Sequence, residues 1–263
     1  MEIFPGVHII AGPRHFFAEL SDYGGAYVYL IQGDAGRHIL IDTGFGRYTA
    51  GMVKVLESKG VAPGDIEMVA LTHSHGDHIG GCRFFQRAGA KIAAHREAGE
   101  TIDGTPPWDR KEPREKAQGG GGGGGDPTEA FRPDVRFADG DVLRAAGIEL
   151  RVVHTPGHTP DSTSFVLERA GRKVVFTGDM WGWFIINWRS NQADMLASIR
   201  KVRALGADFC CGGHTVLDES DWPKAAEKIE SNLARGIFSV VDFAKAEKHF
   251  VSSGLRLFAG LDR

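Results

Sequence analysis

The stretch His73-Ser74-His75-Gly76-Asp77-His78 decides how the rest of this 263-residue chain is read. It places four metal-capable side chains in six residues, following the apolar run Met68, Val69, Ala70 and Leu71. Such a run reads as a buried strand, so the cluster lies where a strand opens into a loop. Imidazoles two apart at a strand end can point the same way and take one metal, while Asp77 and His78 on the following turn can face a second. Zinc takes about four N, O or S ligands at roughly 2.0 to 2.3 Å, and a catalytic ion keeps one position for water. One cluster of this kind cannot close two such sites, so the remaining ligands must come from elsewhere.

Three later segments offer them. His154-Thr155-Pro156-Gly157-His158 follows the strand-like residues 148–153. Residues 174–178 form another apolar run that delivers Asp179, and residues 208–213 end in two glycines before His214. Each is a short apolar run ending near glycine, which lets the backbone turn or approach closely. Strand ends aimed at one edge would bring these side chains together.

The set HSHGDH, HTPGH, TGD and GGH, in this order and spacing, resembles the metallo-β-lactamase fold superfamily, as does Ile39-Leu40-Ile41-Asp42-Thr43-Gly44. The resemblance runs over residues 26–214. It implies an α/β fold, a four-layer αβ/βα sandwich with the metals at one edge between the sheets and additional C-terminal helices. It also implies one metal held by His73, His75 and His158, and a second held by Asp77, His78 and His214, with Asp179 bridging both. The expected cofactors are two divalent metal ions, zinc first, with iron or manganese suited to the same donors. A carboxylate at the bridging position, where the secreted β-lactamases of the superfamily often carry cysteine, looks like the thioesterase, lactonase and nuclease branches.

The function this resemblance implies is a dinuclear metal-dependent hydrolase that attacks an ester, thioester or lactone-type bond with a metal-bridging hydroxide. Asp77, besides ligating, is the expected catalytic residue, steering the nucleophile and relaying its proton. Glyoxalase II-like thioesterases and lactonases are closest in motif style, although no tyrosine follows Asp179 closely, as it often does in lactonases. A mononuclear iron persulfide dioxygenase is the alternative from another reaction class, and a metal-dependent RNA-processing nuclease is a third. A flavin-linked diiron reductase fits less well, because that branch commonly has Glu where this chain has His75.

Bulk properties narrow the partners. With 42% apolar residues and a net charge of −3, the chain has an ordinary globular composition and no overall attraction for nucleic acid or an anionic membrane. The expected partner is a small-molecule substrate, with no nucleic acid and no membrane; a homodimer is compatible with the sequence. The first residues lack the basic and apolar regions of a signal peptide. The three cysteines, Cys82, Cys210 and Cys211, make no disulfide framework, so the cytoplasm is the default location.

Residues 1–263 read as one domain. Residues 26–31 and 37–42 suggest a hairpin, 49–59 a helix, 66–71 the strand before the first motif, and 81–88 and 91–94 a helix and a strand. Residues 148–153, 164–167, 173–177 and 207–211 read as strands and 193–205 as a helix. Residues 100–133, with seven consecutive glycines at 119–125, read as a flexible Gly-rich insertion: a lid, a surface loop or an artificial segment. Residues 216–263 read as a C-terminal helical segment. Asp42 is either an orienting partner of a ligand imidazole or a turn cap. His95 and His154 read as structural, and Cys210 and Cys211 as buried hydrophobes. The Trp-rich residues 181–188 could line the substrate site or pack in a core or dimer interface.

Overall fold

A computed structural model describes residues 1–12, 25–103, 128–180, 189–214, 216–217 and 221–235. Among them, thirteen strands form two sheets. The first runs in spatial order through β1 (Glu2–Phe4), β2 (Val7–Ala11), β3 (Val28–Gln32), β4 (His38–Ile41), β5 (Ile66–Ala70), β6 (Lys91–His95) and β7 (Val135–Phe137). The second contains β8 (Val142–Ala145), β9 (Ile148–His154), β10 (Thr163–Arg169), β11 (Arg172–Gly178), β12 (Phe209–Gly212) and β13 (Val216–Leu217).

Strand direction positions the site. β4, β5, β6 and β7 are mutually parallel, so their C-terminal ends share one edge of the first sheet. In the second sheet β9 and β11 each run antiparallel to β10, and β12 runs parallel to β11. β9, β11 and β12 therefore also end together. Every segment that the sequence proposes as a ligand donor follows one of these C-terminal ends.

The alternation of side chains along the strands sorts them into layers. Tyr29, Ile31, Ile39, Ile41, Met68 and Ala70 meet Phe165, Leu167, Val174 and Phe176 in the core between the sheets. Leu30, Leu40 and Val69, on the opposite face, pack against Met52, Val55 and Leu56 of α1 (Thr49–Glu57) and Phe85 of α3 (Cys82–Arg87). Val153, Val166 and Val175 do the same for Met195, Ile199 and Val202 of α4 (Gln192–Arg203) and Trp222 and Leu233 of α5 (Trp222–Ala234). Central strands buried on both faces explain why β4 and β5 read as continuous apolar runs rather than alternating ones. The result is helix, sheet, sheet, helix.

The β3–β4 hairpin closes through a short helical turn at Asp34–Gly36. The helices at 49–59, 81–88 and 193–205 appear with slightly shorter bounds. β1, β2, β7, β8 and β13 have no counterpart in the sequence reading, and neither does the short helix α2 (Gly76–Ile79) inside the first motif. The two ends of the proposed insertion are held together: Ile102 and Phe131 pair through both backbone hydrogen bonds and are buried. Residues 104–127, including the glycine run, lie outside the described residues, as do the Trp-rich residues 181–188 and residues 236–263 of the C-terminal segment.

Candidate metal centre

Two groups of ligand-capable atoms form at the common edge, one of His73, His75 and His158 and one of Asp77, His78, Asp179 and His214. All seven residues singled out in the sequence belong to them. His73 and His75 leave the end of β5, Asp77 and His78 lie in α2, and His158 lies in the loop after β9. Asp179 follows β11 directly, and His214 follows β12.

In the first group His73 Nε2 and His158 Nε2 lie 3.0 and 3.1 Å from His75 Nδ1. Ligand nitrogens at about 2.0 to 2.1 Å from one tetrahedral zinc are about 3.3 Å apart, so the spacing fits a shared cation. The rings also present lone pairs. Burial and the neighbouring imidazoles push His73 well below its ordinary pKa, and burial followed by His158 brings His75 down to about 3. Neutral imidazole is the form that binds metal.

The second group has the opposite electrostatics. Burial alone would raise the Asp77 carboxyl, but His78 and His214 hold it down at about 2. Asp179, likewise buried, is held well below the carboxylate range by His214 and His78. Burial disfavours charge on the two imidazoles, yet Asp179 and Asp77 overcome it, raising His78 well above its ordinary value and His214 to about 10. His214 Nε2 lies 3.3 Å from Asp77 Oδ2 and 3.4 Å from Asp179 Oδ2. Asp179 Oδ1 and His78 Nε2 are 3.3 Å apart, both buried, and neither completes a well-aligned hydrogen bond among the described residues. Once His78 gives up its proton, two donor atoms at this spacing suit one cation bound by both.

Asp179 also connects the groups. Its Oδ2 is 3.5 Å from His158 Nε2 and 4.0 Å from His73 Nε2, in addition to its contact with His214. Two glycines make this placement sterically feasible. Gly178 adopts φ +54, and a Cβ there would come within 2.6 Å of Thr72 Oγ1. A Cβ on Gly213 would lie 2.7 Å from His78 Cε1 and would overlap Asp179 Oδ1.

Asp42 takes the orienting position rather than that of a simple turn cap. His78 Nδ1 donates to Asp42 Oδ2 at 2.8 Å, which turns Nε2 toward the centre. Thr72 donates to the same carboxylate twice, from its backbone N at 2.8 Å and from Oγ1 at 2.7 Å. Asp42 reaches this position with φ 61, in the left-handed region.

Supports outside the motifs were missed in the sequence. Tyr29 donates its hydroxyl to Gly212 O at 2.6 Å, and the backbone N of Tyr27 donates to Gly213 O at 2.6 Å, so the start of β3 and the residue before it brace the turn that carries His214. Three consecutive carbonyls of the His158 loop are satisfied from residues 190–198: Pro156 O by Ser198 Oγ, Gly157 O by Asn191 N, and His158 O by Ser190 Oγ. Of the supports named, Thr72 alone lies directly beside a quoted motif. His95 and His154 stack on one another at 4.1 Å and 12° and join neither group. Cys210 and Cys211 are buried and likewise outside both.

The fold and the site together define a class. A model of the Metallo-beta-lactamase superfamily matches residues 22–214, and the chain belongs to that superfamily. A hydroxyacylglutathione hydrolase of Xylella fastidiosa is 26% identical over 76% of this chain and 64% of its own length. An acyl-coenzyme A thioesterase of Homo sapiens is 29% identical over 62% of this chain and 61% of its own. A lactamase-like protein of Emericella nidulans is 33% identical over 59% of this chain and 40% of its own. The chain thus spans about 40 to 64% of the length of these relatives. Among solved structures, a metallo-beta-lactamase family protein of Thermus thermophilus superposes with a TM-score of 0.65 at 25% identity, covering 89% of this chain and 81% of the other. A subclass B3 metallo-beta-lactamase of Bradyrhizobium japonicum gives 0.63 at 20% identity over 81% and 88%, a likeness of fold alone. No helix among the described residues is long and apolar enough to cross a membrane.

Proposed function

We propose that this protein is a metal-dependent hydrolase of ester-type bonds, with thioesters the leading substrate class. It would hold one divalent cation with His73, His75 and His158, and a second with Asp77, His78 and His214, sharing Asp179. The observation that carries this reading is the position of Asp179 Oδ2, 3.5 Å from His158 Nε2 and 3.4 Å from His214 Nε2, where one carboxylate serves both groups. Thioesters are favoured because two of the sequence relatives are named for acyl groups carried on coenzyme A and on glutathione. The solved β-lactamase shares the fold but at lower identity.

When bound, such cations polarise the scissile carbonyl and lower the pKa of water toward about 7. The chain's own residues do the rest. Asp77, half-buried and held near pKa 2 by His78 and His214, is ionised at neutral pH. It is therefore a weak base but a good hydrogen-bond acceptor, suited to orienting an attacking water. Asp42 and Thr72 fix the His78 ring, so the geometry is set before substrate arrives. Gly213 lets the backbone approach close enough for His214 to face both carboxylates.

Replacing Asp179 with alanine tests the reading. Thioester hydrolysis should fall at least about a thousandfold, as the two positions lose their shared ligand, and bound metal should drop. Unchanged turnover and metal content in that variant would refute it. One iron per chain with oxygen consumption, and no hydrolysis, would instead support the dioxygenase.

A further inference from the structure

Behind the three-histidine group lies a buried carboxylate that the proposed reaction does not use. Asp161 is 1% exposed and sits in the loop joining β9 to β10, three residues after His158. Among the described residues its surroundings are hydroxyls rather than cations. Thr159 Oγ1 donates to Asp161 Oδ1 at 2.7 Å, and Thr163 Oγ1 donates to the Asp161 carbonyl at 3.0 Å. Ser74, which separates His73 from His75, faces the same carboxylate with both its backbone N–H and its hydroxyl. Ser74 Oγ and Asp161 Oδ2 are both buried, and neither completes a well-aligned hydrogen bond among the described residues. Burial raises the Asp161 carboxyl above its ordinary value despite these donors.

A buried carboxylate without a cationic partner is costly and is retained only where something depends on it. What Asp161 spans is informative. Ser74 belongs to the loop after β5, in the first sheet, and Thr159 to the loop after β9, in the second. A single backbone bond, from Thr163 N to Thr72 O at 2.8 Å, runs alongside. His73 and His75 are on one side of this junction and His158 on the other, yet His158 Nε2 must hold its 3.1 Å spacing from His75 Nδ1 across it.

We propose that Asp161 is a positioning residue that locks the His73–His75 loop against the His158 loop and so sets the affinity of the three-histidine position for its cation. Asp161 touches neither substrate nor the cation. It acts through Ser74 and Thr159, the immediate chain neighbours of the three imidazoles. The proposal rests on the reading of that group as a cation position.

The test is zinc affinity by competition with a chromophoric chelator, together with the visible absorption of the cobalt-loaded protein. Both are measured in a His214→Ala background that disables the second position. Asp161→Ala should weaken binding about 10- to 100-fold, the range seen when partners of metal ligands are removed, and should alter the cobalt bands. Asp161→Asn keeps an acceptor for Thr159 but turns a donor toward Ser74, so it should show most of the same loss with a smaller drop in metal-free melting temperature. Ser74→Ala, which leaves the carboxylate in place, should lose only a few-fold. If Asp161→Ala does not fold, Asp161→Asn and Ser74→Ala carry the measurement. Affinity and cobalt spectrum unchanged in Asp161→Asn would overturn the proposal. So would a loss at the second position equal to that at the first in the otherwise native chain, which would mark a general structural role. Failure of the parent chain to bind zinc with His73, His75 and His158 would instead overturn the reading of the site.

Discussion

The two cation positions should respond to pH to very different degrees, because the metal-free protein protonates them differently. His73 is held well below its ordinary pKa and His75 is brought to about 3, so both already offer lone pairs at neutral pH. His78 is raised well above its ordinary value, and His214, facing Asp179 and Asp77, reaches about 10. At pH 7.5 a group of pKa about 10 is deprotonated in only about 0.3% of molecules. A cation entering the second position must therefore displace two protons, and its apparent affinity should rise as pH rises until those pKa values are passed. Two protons correspond to about 100-fold per pH unit, or about 2.7 kcal/mol. His73 and His75 release no such protons, so the three-histidine position should depend on pH less steeply than the second. Calorimetric titration of zinc into metal-free protein, repeated in buffers of different ionisation enthalpy, counts the protons released at each step. Two steps with equal pH slopes, or a second step that releases no protons, would refute this account of the site's electrostatics.

Other perturbations follow from single contacts. Asp42→Asn removes the anionic acceptor shared by His78 Nδ1 and both Thr72 donors; it should lower stability by about 1 to 3 kcal/mol in denaturant titrations and weaken the second cation about 10- to 100-fold. Gly213→Ala puts a methyl group against His78 and Asp179, so metal content should fall toward about one per chain while the three-histidine position still fills. Tyr29→Phe leaves the buried Gly212 carbonyl without its donor, which should cost about 1 to 3 kcal/mol in chemical unfolding and raise the chelator sensitivity of the second position more than that of the first.

The layers were legible in the sequence wherever apolar runs are long enough to name their element. β4, β5 and β11 are buried on both faces over most of their length and stand out as apolar runs, whereas β9 alternates, with Glu149 and Arg151 exposed between buried Ile148, Leu150 and Val152. β7 and β8 are short, with Arg136 and Arg144 facing solvent, and carry too few apolar residues to rise above a loop. β1 and β2 lie ahead of the first predicted strand, at residues 26–31, and are not predicted. The seven grouped residues were legible because each follows a strand end within a compact motif. Their supports were not, because Tyr29, Ser190, Ser198 and Asp161 reach the site by contacts between segments far apart in sequence, which local patterns do not encode. Asp42 lies between: its place at the end of β4 marked it as an orienting residue or a cap, and only its contact with His78 separates the two.

The most direct test of the central claim is metal content measured alongside thioester turnover on the same preparations, before and after chelation and in Asp179→Ala. The account predicts about two divalent metals per chain, loss of turnover on chelation, recovery when metal is returned, and depressed metal and turnover in the variant. Full thioester turnover by the metal-free protein, or metal content and turnover untouched by Asp179→Ala, would contradict it.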